Sequence, residues 1–339
     1  MKRAAFSVFV ALLCATAQAA VGLAELAGLE GDGPLTLFYP AAGTPQSVRR
    51  GPFTVSVVQK AVPVRGNGRL VVISHGSGGS PWTYTDLAVA LVEAGFVVAF
   101  PEHRGDNFRD RSEIGPPSWK RRPGEVSRAI DAVLRDVRFA PLVAADRIGL
   151  YGMSAGGHTA LSFAGGLWAP AGLARHCETH IREDFGACVA PGMQLKGDFF
   201  DTWRIWSTLW VIRWRYSDAV PQTHRDARVR AIVAAVPYAA DFDMASLASP
   251  PVPLGLVRAG QDKWLLPRFH SDAVLKACKT CERVADVTTG GHGALLSPLP
   301  PSLPEAVAGL LGDPPGFDRS VLPAVDRNIV AFFRKHLLP

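Results

Sequence analysis

The sequence predicts an α/β protein built on a mostly parallel central sheet with helices on both faces. Short, nearly continuous apolar runs recur along the chain, as expected of strands that are buried on both faces. Segments with helical spacing separate these runs, and strand–helix alternation implies parallel strands with right-handed crossovers. Hydrophobic residues make up 48% of the 339 residues and charged residues 19%, which is enough apolar material for a full core.

The elements follow one another in a regular order. The predicted strands are residues 35–39, 53–58, 70–74, 96–100, 147–151, 231–236, 254–258 and, more weakly, 284–288. We expect the first two to form an opening antiparallel pair. The predicted helices are residues 84–94, 126–137, 155–164, 266–277 and 325–338. Ligands of such sheets bind at the carboxyl ends of the strands, so functional residues are sought just after each apolar run.

One domain is expected for residues 20–339, because α/β folds of about 250 residues often form a single unit. An insertion at 165–226 interrupts the alternation of strands and helices. It contains Trp203, Trp206, Trp210 and Trp214, whose spacing places all four on one helical face. The preferred interpretation is a stripe that packs on the core. A cap whose rings line an acyl pocket and a membrane-surface helix, with Arg204, Arg213 and Arg215 near the rings, are the alternatives.

Residues 1–19 have the pattern of a cleaved secretory signal peptide. A basic start precedes about a dozen apolar residues and a small-x-small exit, with cleavage expected after Ala19. The apolar run is shorter than the roughly 20 residues that span a bilayer, which argues against an anchor. A lipoprotein site at Cys14 is disfavoured by the bulky Leu13. We therefore expect export to the periplasm or beyond, and no transmembrane segment in the mature chain.

The charge of the chain is only mildly basic. Its 36 basic and 30 acidic residues give a formal net charge of +6. No block of Lys and Arg is present to neutralise phosphates, so nucleic-acid binding has little support.

Four cysteines remain once the predicted leader is set aside. Pairing of sequence neighbours suggests the disulfides Cys177–Cys188 and Cys278–Cys281, although four cysteines allow three pairings. A redox Cys-x-x-Cys at 278–281 is the alternative, but such sites open a helix after a strand, whereas this one follows a helical pattern. A zinc site needs more clustered ligands than these.

The strongest chemical motif is Gly152-Met153-Ser154-Ala155-Gly156, which fits G-x-S-x-G between a predicted strand and a predicted helix. A sharp strand-to-helix turn strains the backbone of a nucleophile, so small residues must flank it. The turn lifts the hydroxyl above the sheet edge at the N-terminus of a helix, whose positive end favours a developing oxyanion. Ser154 is therefore the candidate nucleophile.

A serine nucleophile needs a base and an acid, in the chain order Ser, Asp or Glu, His for this layout. His292 is the candidate base, because it lies in a glycine-rich loop just past the last predicted strand. His270 and His336 lie in helical patterns. Asp262 is the candidate acid, since it directly follows an apolar strand, and Asp241 or Asp243 is the runner-up. Asp272 lies in a predicted helix.

Two backbone donors are needed for the oxyanion. Ala155 N–H, one residue past the nucleophile, is the first candidate. The second is expected in the glycine-rich loop 75–79, where Ser77 N–H is preferred and Gly78 N–H is the alternative. A phosphate-binding function for this loop is weak, because the lysine and hydroxyl residue of a P-loop are absent.

Together these residues resemble the α/β-hydrolase superfamily, and within it the dienelactone hydrolase and platelet-activating-factor acetylhydrolase-like group. The resemblance rests on V-I-S-H-G-S-G-G-S (72–80), F-V-V-A-F-P-E-H-R-G-D-N (96–107), R-I-G-L-Y-G-M-S-A-G-G (147–157), A-G-Q-D (259–262) and G-G-H-G-A-L-L (290–296). It implies hydrolysis of carboxylic esters without metal or cofactor, with Ser154, Asp262 and His292 as the triad.

The resemblance leaves the substrate open. Dienelactone hydrolases use a cysteine nucleophile, so a serine at 154 favours a general esterase acting on a small-molecule or lipid-like ester. A peptidase or acyltransferase with the same triad, and a non-catalytic binding protein on this scaffold, are the alternatives. Acyl length, oligomeric state and the role of the tryptophan-rich part of the insertion, residues 201–216, are not predicted.

Overall fold

The computed structural model describes residues 20–189, 193–303 and 305–339. The predicted signal peptide at 1–19, including Cys14, lies outside the described residues. Within them, no helix combines the length and the apolar composition needed to cross a membrane.

The strands form one large sheet and one small one. In chain order they are β1 (Ala20–Leu26), β2 (Leu35–Ala41), β3 (Gln46–Arg50), β4 (Phe53–Gln59), β5 (Leu70–Ser74), β6 (Val97–Pro101), β7 (Ile148–Met153), β8 (Leu167–Trp168), β9 (Val229–Ala235), β10 (Phe242–Asp243), β11 (Leu254–Ala259) and β12 (Glu282–Val287). The large sheet has the order β12-β11-β9-β7-β5-β6-β2-β1-β4-β3, and β8 pairs with β10. From β12 to β6 all neighbours are parallel, which confirms the mostly parallel sheet.

The predicted opening pair is wrong. Strand β2 pairs antiparallel with β1 on one side and with β6 on the other, while β4 pairs antiparallel with β3 and parallel with β1. Strand β1, which the sequence did not indicate, therefore separates β2 from β4. Its residues pair with β2 over the full length of both strands, from Ala20 opposite Ala41 to Leu26 opposite Leu35.

Helices cover both faces of the sheet, as predicted. They are α1 (Thr85–Glu93), α2 (Pro116–Arg135), α3 (Ala155–Phe163), α4 (Pro170–His180), α5 (Phe185–Cys188), α6 (Asp201–Arg215), α7 (Ser271–Ala277), α8 (Glu305–Leu311) and α9 (Leu322–Leu337). Helices α1 and α9 pack on one face, and α2 and α3 on the other. Two apolar layers thus hold the sheet, because its central strands are buried on both sides.

The segment at 165–226 contains β8, α4, α5 and α6, with α4 packed against α6. The disulfide Cys177–Cys188 joins α4 to α5, and Cys278–Cys281 joins the end of α7 to the start of β12, which confirms both predicted bridges. The second bridge follows a helix, as expected of a structural disulfide rather than a redox motif.

The preferred interpretation of the tryptophan stripe is wrong. Helix α6 buries Ile205, Thr208 and Ile212, whereas all four tryptophans are exposed. The spacing correctly placed the four rings on one face. That face points away from the core, because the smaller aliphatic side chains on the other side of the helix fill the space against the fold.

Phe333 on α9 belongs to the apolar layer between the sheet and helices α1 and α9, and its substitution tests what that layer contributes to stability. The Phe333 side chain is fully buried and packs where a side chain at Gly149 of β7 would otherwise lie. We expect Phe333→Ala to lower the free energy of unfolding by about 3–5 kcal/mol, because it leaves a cavity against the sheet. The exposed Phe199→Ala is the matched control and should change it by less than about 0.5 kcal/mol in urea denaturation. Equal effects of the two substitutions would contradict this packing.

Candidate active site

The turn between β7 and α3 holds Ser154 in a strained conformation. Its φ is +57°, which is uncommon for a residue other than glycine. Glycines make the turn possible. A Cβ at Gly152 would lie 1.9 Å from the carbonyl oxygen of Gly156, and one at Gly156 would lie 1.9 Å from that of Ser74. The chain therefore passes close to itself on both sides of Ser154, and its side chain projects above the sheet edge at the start of α3.

Ser154, His292 and Asp262 come together at this edge. Nε2 of His292 lies 3.0 Å from Oγ of Ser154, and its Nδ1 lies 2.7 Å from Oδ2 of Asp262. The three side chains follow β7, β12 and β11 respectively. Their strands are parallel and end at one edge, so residues separated by 138 and 30 positions meet there.

The hydrogen bonds of Asp262 determine which imidazole nitrogen carries the proton. Its Oδ1 accepts from the backbone N–H groups of Trp264 and Leu265, at 2.9 and 2.8 Å. A carboxylate only accepts, so Nδ1–H of His292 donates to Oδ2. Nε2 is then the free acceptor for the Ser154 hydroxyl, which is the arrangement that lets an imidazole remove a serine proton.

Backbone contacts between the two loops keep Asp262 beside His292. Gly260 N–H donates to the carbonyl oxygen of Val287, and Gln261 N–H donates to that of Gly290, both at 2.9 Å. A Cβ at Gly260 would lie 2.2 Å from the carbonyl oxygen of Thr288, so this close approach needs glycine. Backbone hydrogen bonds of residues near Asp262 and His292 thus hold the two side chains together.

The competing candidates have other partners. Asp241 is buried against Nε2 of His158, and Asp243 accepts from the backbone of Ala245. The others are likewise occupied: Asp272 by Arg258, His270 by Asp184 and His336 by Glu282. None of these pairs includes Ser154 or His292, so the competing candidates lie in contacts of their own.

The loop after β5 lies directly beside Ser154. A Cβ at Gly76 would lie 3.4 Å from that of Ser154. Gly76 N–H donates to the Tyr84 hydroxyl at 3.0 Å, and Gly78 N–H to Oδ1 of Asp106 at 2.8 Å. The alternative oxyanion donor at Gly78 is therefore occupied. Ser77 N–H has no acceptor within the part of the chain that the structure describes, and is free to serve an oxyanion.

The second predicted donor, Ala155 N–H, belongs to the first residue of α3. The first N–H groups of a helix have no intrahelical acceptor and carry the positive end of its dipole. Ala155 also lines the space in front of Ser154, together with Ser77. The two predicted donors therefore flank the same small region.

Sequence reasoning missed the ion pair that holds the glycine-rich loop 75–79. Asp106 and Arg122 are both fully buried, with 2.8 Å between Oδ2 and Nη2. Asp106 also accepts from the Ser77 hydroxyl, and Nη1 of Arg122 donates to the carbonyl oxygen of His75 at 2.5 Å. The available signal was the position of Asp106 just after β6, within the segment 96–107. Its partner, sixteen residues later on α2, has no sequence signature.

The charges of this pair compensate for burial. Burial by itself raises the pKa of the Asp106 carboxyl, but the Arg122 guanidinium and the Gly78 N–H outweigh it, and the pKa lies below its usual value. Beneath them, burial and then the positive charge of Arg122 hold the pKa of His103 well below its ordinary range. His103 is therefore a neutral bridge between Ser74 and Glu125, at 2.8 and 2.6 Å.

Two cavities meet at Ser154. The first has a volume of about 340 Å³, and its own wall includes Phe53, Trp82, His292, Leu296 and Val307. The second has a volume of about 320 Å³, and its own wall includes Trp119, Ala155, Leu173, Tyr216 and Tyr238. Both are lined by Ser77, Arg111, Ile114, Ser154 and Trp264. None of the four tryptophans of α6 lines either space.

The buried ion pair can be tested by a double-mutant cycle. We expect Asp106→Ala to lower the free energy of unfolding by about 3–5 kcal/mol, because it leaves the Arg122 guanidinium buried without a counter-charge. The double variant Asp106→Ala/Arg122→Met should lose less than the sum of the two single variants. Asp286→Ala, which removes the carboxylate of a surface ion pair with Arg258, is the control. It should lower the free energy of unfolding by at most about 1 kcal/mol.

The acid limb of the stability curve gives an independent check. The pKa of Asp106 is lowered in the folded state, so its contribution is present at neutral pH and is lost as the pH falls below about 4. Urea midpoints measured from pH 7 downwards should therefore fall more steeply for the wild type than for the double variant. Parallel curves would contradict the role of the ion pair.

Comparison with known proteins agrees with the architecture. Residues 56–180 match the model of the dienelactone hydrolase family. No curated protein matched the chain. Among solved structures, the ferulic acid esterase from Streptomyces cinnamoneus is similar, with a TM-score of 0.58 and 20% identity over 95% of this chain and 91% of that one. The chain is therefore similar to the dienelactone hydrolase family over residues 56–180, and its fold is an α/β-hydrolase fold.

Proposed function

We propose that the chain hydrolyses carboxylic esters through an acyl-enzyme in which Ser154 is the nucleophile, His292 the general base and Asp262 the acid that orients it. One observation carries the proposal: the continuous path Ser154 Oγ to His292 to Asp262, at 3.0 and 2.7 Å. Both distances are hydrogen-bond distances, so His292 can accept the Ser154 proton and Asp262 can orient the His292 imidazole.

The chemistry follows from this arrangement. Ser154 attacks the ester carbonyl while Nε2 of His292 takes its proton, and the N–H groups of Ser77 and Ala155 stabilise the oxyanion. His292 then protonates the leaving alcohol. Water, activated by the same imidazole, attacks the acyl-enzyme, and the carboxylic acid leaves with Ser154 restored. The strained backbone of Ser154 keeps its hydroxyl in place throughout.

The two cavities are proposed to hold the two halves of the ester. The leaving alcohol must lie within reach of His292, which lines the first cavity and not the second. The acyl group then lies in the second cavity, past the oxyanion donor Ala155. That wall includes the rings of Trp119, Tyr216 and Tyr238, which can contact a flat or bulky apolar acyl group.

Two other acyl-transfer activities, peptide hydrolysis and transfer to an alcohol, use the same triad. Ester hydrolysis is favoured because residues 56–180 match the dienelactone hydrolase family and because the fold is similar to that of a ferulic acid esterase. A product assay that offers ester, peptide and alcohol acceptors in turn separates the three activities. We also propose that the protein acts outside the reducing cytoplasm, on the support of its two disulfides.

The nucleophile is tested by its removal. We expect Ser154→Ala to reduce turnover of p-nitrophenyl butyrate at least about 10⁴-fold, because among the described residues Ser154 is the hydroxyl hydrogen-bonded to His292, while circular dichroism shows the fold retained. A fluorophosphonate probe should label the wild type and not this variant. The exposed Ser217→Ala is the matched control and should keep full activity. Unchanged turnover by Ser154→Ala would refute the assignment.

The cavity assignment predicts opposite effects of two substitutions. In a series of p-nitrophenyl esters the alcohol is constant and only the acyl chain grows. Leu173→Phe narrows the second cavity, so the preferred acyl chain should become shorter, with kcat/KM for long chains reduced about tenfold or more. Val307→Trp narrows the first cavity and should leave this preference unchanged, but slow the hydrolysis of esters of bulky alcohols. The reverse pattern would exchange the two assignments.

A further inference from the structure

The exposed face of α6 is a continuous row of aromatic rings. Trp203, Trp206, Trp210 and Trp214 are 64%, 63%, 60% and 76% exposed. At 100° per residue they lie within a narrow arc, and the helix rise places them along about 16 Å of its length. Phe199 and Phe200, exposed and stacked on each other just before the helix, extend the row. We call these six residues the aromatic stripe.

The size of the stripe sets it apart from isolated surface residues. A fully covered tryptophan buries about 150–250 Å², so at these exposures the four rings present roughly 500 Å². Contiguous exposed apolar patches of this size mark interaction sites. On the opposite face of α6, Ile205, Thr208 and Ile212 are buried in the fold. The helix is therefore anchored to the protein while the stripe is exposed to solvent.

The exposed charges of α6 itself are positive. The exposed residues of α6 other than its tryptophans are Thr202, Val211, Arg213 and Arg215, with no exposed carboxylate among them. Arg213 contacts Glu178 of α4, whereas Arg215 has no acidic partner within the described part of the chain. The two acids near the start of the helix, Asp198 and Asp201, are both bound by Arg204. Lys196 adds a further exposed cation.

We propose that the aromatic stripe docks the enzyme on an anionic lipid–water interface. Tryptophan suits this boundary, because its ring is apolar and its indole N–H remains hydrated. A helix that lies flat in the interface inserts one face by about 5–10 Å and gains from nearby cations when the lipids are anionic. Both properties are found on α6.

Docking in this way also places the catalytic centre near the interface. The last residue of α6, Arg215, and the next, Tyr216, line the cavity that reaches Ser154. The stripe therefore runs along the surface towards the site. A second copy of the chain fits the face less well, since it would set two arginine-bearing helices against each other with no exposed carboxylate on either helix.

The test measures binding to vesicles separately from turnover. Wild-type protein should co-sediment with phosphatidylcholine–phosphatidylglycerol vesicles. It should bind vesicles of phosphatidylcholine alone more weakly, and high salt should weaken its binding to the mixed vesicles. Trp206→Ser/Trp210→Ser should reduce the partition coefficient on mixed vesicles by about tenfold or more, because it removes the centre of the stripe. Its turnover of soluble p-nitrophenyl butyrate and its melting temperature should equal those of the wild type. Bromine-labelled lipid chains should quench tryptophan fluorescence of the wild type more than that of the variant.

The controls separate the alternatives. Val62→Ser/Val137→Ser removes two exposed apolar side chains elsewhere on the surface and should bind vesicles like the wild type. Ser154→Ala should also bind normally, so loss of the proposed catalysis and loss of docking are distinguishable. The proposal is overturned if the wild type does not bind anionic vesicles, or if the tryptophan variant binds equally. It is also overturned if the substitution only dissociates a dimer in analytical ultracentrifugation, or only weakens adsorption to an insoluble polyester.

Discussion

The backbone of Ser154 is the constraint on which the site depends. A residue with a side chain is held at φ +57° between a buried strand and a helix, and this is possible only because Gly152 and Gly156 let the chain pass within contact of itself. The local strain is offset by the burial of β7 in the middle of the sheet and of α3 on its face. The same turn sets the serine hydroxyl, the Ala155 N–H and the start of the helix dipole in one place.

Around this turn the fold holds each group through a different kind of contact. Asp262 and His292 are held by backbone hydrogen bonds between the loops after β11 and β12. The glycine-rich loop 75–79 is held by the buried charges of Asp106 and Arg122. A buried ion pair is weak evidence for net stability, since desolvation opposes its attraction. Its hydrogen bonds to Gly78 and to the carbonyl oxygen of His75 give it a positioning role instead.

The segment at 165–226 connects two surfaces of different chemistry. Its helix α4 contributes Leu173 to the second cavity beside Ser154, and Arg215 at the end of α6 and the following Tyr216 also line that cavity. The outward face of the same α6 carries the aromatic stripe. The disulfide Cys177–Cys188 links α4 to α5 near these elements. One insertion thus supplies both part of the proposed acyl pocket and the proposed contact with a lipid surface.

Sequence alone determined the fold class and pointed to the three residues that meet at the sheet edge, whereas its four cysteines left three pairings open. The carboxyl ends of parallel strands share one edge, so a residue just after an apolar run is expected at that edge. Tertiary structure decided what periodicity and spacing leave open. Spacing shows that four tryptophans share a face but not which way it points, and pairing across the sheet placed β1 between β2 and β4. The contact of Asp106 with Arg122 likewise depends on how α2 packs beside β6, because attraction between charges follows distance in space and leaves no pattern along the chain.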